Sequence, residues 1–278
     1  MLAALLALAA SLAWGSSDFL AGLQSRRRSV WSVVAVAQAA AFVGAGLVLA
    51  VHGEPPIGLG GTAMLVLAGV GSALAMVLYY KALATGTMGI VASILATSAT
   101  VPVVAGLVRG ERPSAAQVAG MALAIAGIVL VSRTEQGAER SMSATSFVYA
   151  LLAALAFGFM LVALDLGGRI DPYWSVFDAR LGSALTIAAY LLLRRPQLEV
   201  TVKVAPVLAT VGLLLVAANT LFTVATTRGY LSVVAVLGSL SPAVTALFAR
   251  YLLAERLTRL QLVGVVTVLA GVVLLAVG

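Results

Sequence analysis

The chain has 278 residues, 62% of them hydrophobic and 10% charged, with a formal net charge of +7, one histidine and no cysteine. A soluble domain carries about 25% charged residues, so this composition excludes one. The missing cysteines exclude disulfides, thiolate metal sites and a cysteine nucleophile. Most of the 17 Lys and Arg residues punctuate the ends of apolar runs, which makes them interfacial anchors and topology determinants rather than a nucleic-acid surface.

Apolar runs of around 20 residues follow one another, each long enough to cross a hydrocarbon core of roughly 30 Å as a helix. Backbone groups in lipid must be paired within the chain, which leaves helices or closed barrels. Long Ala/Leu/Val runs without period-two alternation exclude the barrel. The expected fold class is all-α integral membrane.

Span one is Leu2–Leu23, closed by Arg26, Arg27 and Arg28. It lacks the basic n-region of a signal peptide and is expected to stay as an uncleaved first helix. Span two, Ser29–Val51, stops at His52-Gly53-Glu54-Pro55-Pro56, where proline and glycine end a helix. Span three, Gly61–Leu83, carries Tyr79, Tyr80 and Lys81 toward its end, and Gly86 begins the turn into span four, Met88–Val108. Span five, Ser114–Val131, follows the turn Arg109-Gly110-Glu111-Arg112-Pro113. After a polar stretch come span six, Ala144–Leu166, and span seven, Tyr173–Leu193. Span eight is Val204–Thr227, span nine Leu231–Leu253 and span ten Thr258–Val277.

The ten spans are five spans written twice. Gly110–Leu130 and Ala254–Leu274 share Glu111/Glu255, Arg112/Arg256, Gln117/Gln261, Gly120/Gly264 and Gly127/Gly271 at an offset of 144. Trp31-Ser32-Val33 returns as Trp174-Ser175-Val176 at an offset of 143, where Trp14-Gly15 also meets Phe157-Gly158. Such self-similarity marks a repeated structural unit. The expected organisation is a first repeat over 1–131, a linker over 132–143 and a second repeat over 144–278. A unit with an odd number of spans enters the bilayer the second time upside down. The expectation is therefore ten transmembrane helices as two inverted five-helix repeats, an architecture of secondary transporters with a midplane site between the halves.

The loops after odd-numbered spans carry twelve basic residues and those after even-numbered spans four. The positive-inside rule then places the odd loops in the cytoplasm and both termini outside.

Several features together resemble the EamA-type domain of the drug/metabolite transporter superfamily. They are Trp14-Gly15 in span one, Tyr80-Lys81-Ala82 with Gly86, the Glu-Arg, Gln, Gly and Ala-Gly pattern closing each half, and Ser241-Pro242 followed by Ala254-Glu255-Arg256. The resemblance covers essentially the whole chain. In the first half Ser98-Ala99 stands where the Ser-Pro pair would be, and Pro102 comes a turn later, which shifts the expected kink. The resemblance implies an inner (plasma) membrane exporter or importer of small metabolites, often amino acids or drugs; with the repeat, the expectation is a monomeric carrier of amino acids or drug-like solutes working in export by alternating access. It also implies cytoplasmic termini, opposite to the loop charges, so both orientations stand open.

The cavity is expected between spans one, three, four, six, eight and nine. Ser11, Trp14, Gly15, Asp18 and Gly22 share one face of span one. Asp18 is about five residues from the span centre, roughly 8 Å from the midplane. An aspartate at a helix centre costs on the order of 2.5–3.5 kcal/mol to insert, so it is read as a proton-coupling or substrate-amine site. The bland alternative pairs it with Arg26 or Lys81. Ser93, Thr97 and Thr100 in span four, and Asn219, Thr223 and Thr226 in span eight, form polar stripes that either line a wet cavity or hydrogen-bond between helices. The path candidates are Trp14, Ser17, Asp18, Tyr79, Ser93, Thr97, Asn219, Thr223 and Ser239. Tyr79, Tyr80 and Trp174 read most simply as aromatic-belt anchors.

Asp178 and Arg180 are two apart and do not face each other, so each needs another partner, Gln38 being the one at hand across the repeat interface. Glu111-Arg112 and Glu255-Arg256 read as helix-entry features, and the glycines of spans five and ten as a scaffold seam. No metal site or cofactor is expected. The expected partners are a small-molecule substrate, the lipid bilayer and a proton as coupling ion, with no nucleic acid. A lipid-linked sugar flippase is the alternative within the class. An intramembrane enzyme would need a nucleophile–base pair or metal ligands, which a cysteine-free chain with one loop histidine does not offer.

Overall fold

The computed structural model describes residues 1–52, 58–85, 91, 94–132, 143–252 and 259–277. Within them the chain is helical, with no strand. The elements are α1 (Leu2–Ser25), α2 (Val30–His52), α3 (Leu59–Thr85), a 3-10 turn (Thr97–Ala99) running into α4 (Thr100–Val108), α5 (Ala115–Ser132) and α6 (Ala144–Gly168). After them come α7 (Pro172–Arg194), α8 (Ala205–Thr226), α9 (Leu231–Gly238), α10 (Ser241–Leu252) and α11 (Arg259–Val277). Six of these (α1, α2, α3, α6, α7 and α8) are long and apolar enough to cross a membrane. Their outward faces are apolar too: Leu47 is 64% exposed, Leu67 70% and Phe159 66%. That suits a chain whose surroundings are lipid.

Local chemistry explains the helix ends. Asp171 caps α7 by accepting from the backbone N–H groups of Tyr173 and Trp174 at 2.9 and 2.7 Å, and Pro172 follows at the position where a missing N–H costs nothing. Ser143 caps α6 through Ser146. α7 ends at Arg195, whose φ of 45° is left-handed. Span nine is not one helix. It breaks at Ser239–Leu240 between α9 and α10, and Pro242 falls in the first turn of α10, where proline is tolerated. Span four departs from α geometry at Thr97–Ala99, 142 residues earlier and without a proline. The expectation that the kink sits away from the Ser98-Ala99 pair is thus corrected: the break includes that pair.

Packing repeats across the two halves. α1 lies along α8 as α6 lies along α3, and α3 packs on α7 as α8 packs on α2. These contacts close to backbone distance at glycines. A Cβ at Gly69 would overlap the carbonyl oxygen of Ala179, and one at Gly212 that of Ala37. A Cβ at Gly15 would meet the Ser241 carbonyl oxygen at 2.6 Å and the Val244 Cβ at 2.5 Å; at Gly158 it would meet Ser98 and Val101 at 2.7 Å. Ser98 and Val101 lie 143 residues before Ser241 and Val244, the same offset that separates the two glycines. α5 and α11 form the most extensive contact, with Gly120 against Gly271 and Gly127 against Gly264, the seam read from the sequence.

Glu111 behaves differently from its reading. Its carboxylate accepts from the backbone N–H groups of Leu231 and Ser232 at 2.7 and 3.0 Å, capping α9 rather than its own helix. α9 has no side-chain cap from Tyr230, and its orphan N–H groups draw the nearest anion. Glu255, Arg256, Gly86 and nearly all of the 132–143 linker lie outside the described residues.

Candidate central cavity

A cavity of about 80 Å³ opens between the halves. Its lining comes from α1, α3, the 3-10 turn and the residues just before it, α6, α7, α8, α9 and the α9–α10 break. Spans one, three, four, six, eight and nine were expected; α7 joins them through Arg180 alone. Among the described residues, none of α5 or α11 takes part.

The lining is organised by the repeat. Of the 19 lining residues, 14 form seven pairs separated by 143 positions. Trp14 pairs with Phe157, Asp18 with Leu161, Ser72 with Leu215 and Met76 with Asn219. The segment around the two breaks gives Leu95 with Gly238, Ala96 with Ser239 and Ser98 with Ser241. One backbone frame is used twice, with different side chains mounted on it.

Most of the wall is apolar or aromatic. Trp14 packs on Phe222 with ring centroids 5.5 Å apart, and Tyr79 meets Phe157 edge-on at 6.4 Å. The polar groups are few. Trp14 Nε1 donates to Asn219 Oδ1 at 3.1 Å, which fixes the amide so that Nδ2 is the free end, and Nδ2 has no partner. Asp18 is partly exposed to the cavity and accepts from the Tyr79 hydroxyl. Its bond to Tyr79 stands in place of the bland alternative, a pairing with Arg26 or Lys81; Lys81 Nζ lies 5.6 Å from the Trp31 ring centroid. Arg180 is 2% exposed and donates through Nη1 to Gln38 Oε1 at 3.4 Å. That is the partner expected from the sequence. Asp178 is bonded to Thr62.

Of the path candidates, Trp14, Asp18, Tyr79, Asn219 and Ser239 line the cavity. Three do not. Ser17 is fully buried and donates to the Val211 carbonyl at 3.2 Å, tying α1 to α8. Thr223 donates to the Asn219 carbonyl of its own helix at 2.7 Å, the i−4 bond by which threonine satisfies itself. Thr97 is exposed and bonds to the Ile94 carbonyl. It leaves the cavity because the 3-10 turn has three residues per turn rather than 3.6, which brings Ser98 round in its place. Ser93 lies outside the described residues. Tyr79 and Tyr80 are 3% and 1% exposed, so neither is a belt anchor: α3 continues to Thr85, which puts Tyr79 about 9 Å inside its end.

The model of the EamA-like transporter family matches residues 1–133 and again 144–277. A solved structure, described only as the crystal structure of a protein, is similar at 17% identity with a TM-score of 0.76, over 98% of this chain and 95% of that one; at that identity the likeness speaks for the fold. None of the curated proteins matches.

Proposed function

Because the chain belongs to the EamA-like transporter family, we propose that this multi-pass membrane protein is a secondary carrier of small organic metabolites. In this reading ten membrane helices form two inverted five-helix repeats, 1–131 and 144–278, joined by the 132–143 linker. The carrier works as a monomer in the inner membrane, in the direction of export.

The observation that carries the reading is the paired lining. A site built from seven residue pairs at one repeat offset supports two inverted repeats meeting there, and in this reading rocking one half against the other exposes it to each side in turn. Two features support the motion. Helix breaks lie beside Ser98 and Ser241, in corresponding places of the two halves. The α5–α11 seam stays clear of the cavity and serves as a fixed frame.

Trp14, Tyr79 and Phe157 supply the apolar walls, while Asn219 and Ser239 supply polar contacts. Asp18 is the coupling group: it takes a proton from the acidic side and releases it on the other, with Tyr79 holding the carboxylate in place. The test is uptake of a labelled amino-acid mixture into proteoliposomes, with and without an imposed pH gradient. Gradient-following flux supports a proton-coupled carrier, and gradient-indifferent flux means a facilitator. No flux of these or of drug-like solutes removes the reading and turns the search to lipid-linked sugars.

A further inference from the structure

Among the described residues, Arg180 is a cation without an anion. It lies three residues from the centre of α7, about 5 Å along the axis, which is deeper in its helix than Asp18. None of the ion pairs among the described residues includes it. Its partner is a neutral amide at the long distance of 3.4 Å, and its Nε has no partner at all. A buried guanidinium in lipid is expected to pair or to face a functional cavity, and this one faces the cavity.

Three more donors share its condition. Ser72 Oγ, the Tyr80 hydroxyl and Asn219 Nδ2 are buried without a partner among the described residues, all three residues line the same cavity, and each is 1% exposed or less. Native structures leave few such groups unpaired. Four in one cavity, with the guanidinium among them, describe a place prepared for an acceptor that arrives from outside. Asp18 is already held by Tyr79.

The position of Arg180 adds a second argument. Gln38, which it touches, precedes it by 142 residues, the repeat offset within one position. At the offset of 143 the counterpart of Arg180 is Ala37, the neighbour of Gln38, and in the proposed inverted arrangement a segment that touches its own counterpart lies near the axis relating the halves. A charge on that axis keeps the same relation to both halves as they rock, so it stays with its ligand whichever side is open.

Building on the proposed transport role, we infer that Arg180 is the anchor for the carboxylate of the transported solute, assisted by Ser72 and Asn219. The carboxylate oxygens accept from the guanidinium fork, the geometry in which arginine excels, and the aromatic walls take the apolar remainder. Asp18, in the same cavity, suits an ammonium group on the same solute. The expected substrate class is a small apolar or aromatic monocarboxylate, zwitterionic forms included.

The experiment uses the purified full chain with matched probes: phenylalanine, phenylacetate, and phenylalaninamide, which lacks the carboxylate. Thermal-shift titration reads binding, and proteoliposome counterflow reads transport. The native chain should prefer the two carboxylates over the amide by about tenfold or more, the scale of one charge-assisted hydrogen bond. Arg180→Gln should erase that preference, and Arg180→Lys should keep part of it. Should Arg180→Gln fail to fold, phenylglyoxal labelling of Arg180 in the native chain replaces it, with protection expected from phenylacetate and not from the amide.

A native chain that binds no carboxylate better than the amide overturns the assignment, as does a preference that survives in Arg180→Gln or labelling that the probes leave untouched. The two proposals fail separately. Carboxylate binding without flux removes transport and leaves the anchor. Flux of solutes without a carboxylate preference removes the anchor and leaves transport.

Discussion

Trp14 and Phe157 hold corresponding places in the two halves and both face the cavity, yet their chemistry differs. Trp14 donates to Asn219 at 3.1 Å. The residue 143 positions before Asn219 is Met76, which offers Phe157 no oxygen. The same holds along the wall, with Asp18 opposite Leu161 in the pairing and Ser72 opposite Leu215. Backbone packing is duplicated where glycines let helices touch, at Gly15/Gly158 and Gly69/Gly212, while side chains pointing into the cavity have diverged. Shape is what the two halves keep in common; ligand chemistry is where they differ.

Substitutions can break that comparison at each level. The largest effect is expected at Asp18. Asp18→Asn should abolish accumulation driven by a pH gradient, and Leu161→Asn at the corresponding place should leave it intact, both read as proteoliposome uptake. If Asp18→Asn accumulates solute like the parent, proton coupling through it is wrong. Next come the packing glycines. Gly15→Ala and Gly158→Ala each force a methyl onto a serine carbonyl and a valine, so each should cost ~1–3 kcal/mol in detergent unfolding, and by like amounts. A tolerant Gly158 beside an intolerant Gly15 would show that the halves are not packed alike.

Glu111→Ala should cost about 1–2 kcal/mol by stripping the α9 cap, with Glu111→Gln costing less, checked by the same unfolding measurement. Smallest is Trp14→Phe, which makes the first half resemble the second. Loss of its bond to Asn219 should cost about 1 kcal/mol, whereas Phe157→Leu, which removes no hydrogen bond, should not change the state of Asn219 in an amide-resolved spectrum.

Much of the frame was legible because repeat offset, glycine spacing and span length are properties of the chain alone. The offset of 143 read from Trp31/Trp174 is the one that pairs the cavity lining, and Gln38 was identifiable as the partner of Arg180. What the sequence concealed follows from two physical causes. Polar stripes were phased on an ideal α-helix, and the 3-10 turn at Thr97–Ala99 rotates everything around it, exchanging Thr97 for Ser98. Hydroxyl side chains can also be satisfied by a nearby carbonyl, as Ser17 and Thr223 are, which no spacing rule distinguishes from cavity lining. Spacing shows that Asp178 and Arg180 do not face each other, but that Asp178 bonds to Thr62 while Arg180 faces the cavity is a tertiary fact. Glu111 reaches α9 across 120 residues of sequence, beyond any local reading.

The inverted arrangement of the halves can be tested without disturbing the cavity, since the parent chain has no cysteine. Arg27→Cys and Ile170→Cys place single thiols at exposed positions one repeat offset apart, in the loops after spans one and six. Labelling intact cells with a membrane-impermeant maleimide should modify one of them and spare the other until the cells are opened, and the one modified also fixes the orientation of the termini. Labelling of both from the same side would contradict the inverted repeat, and with it the account of how the cavity changes sides.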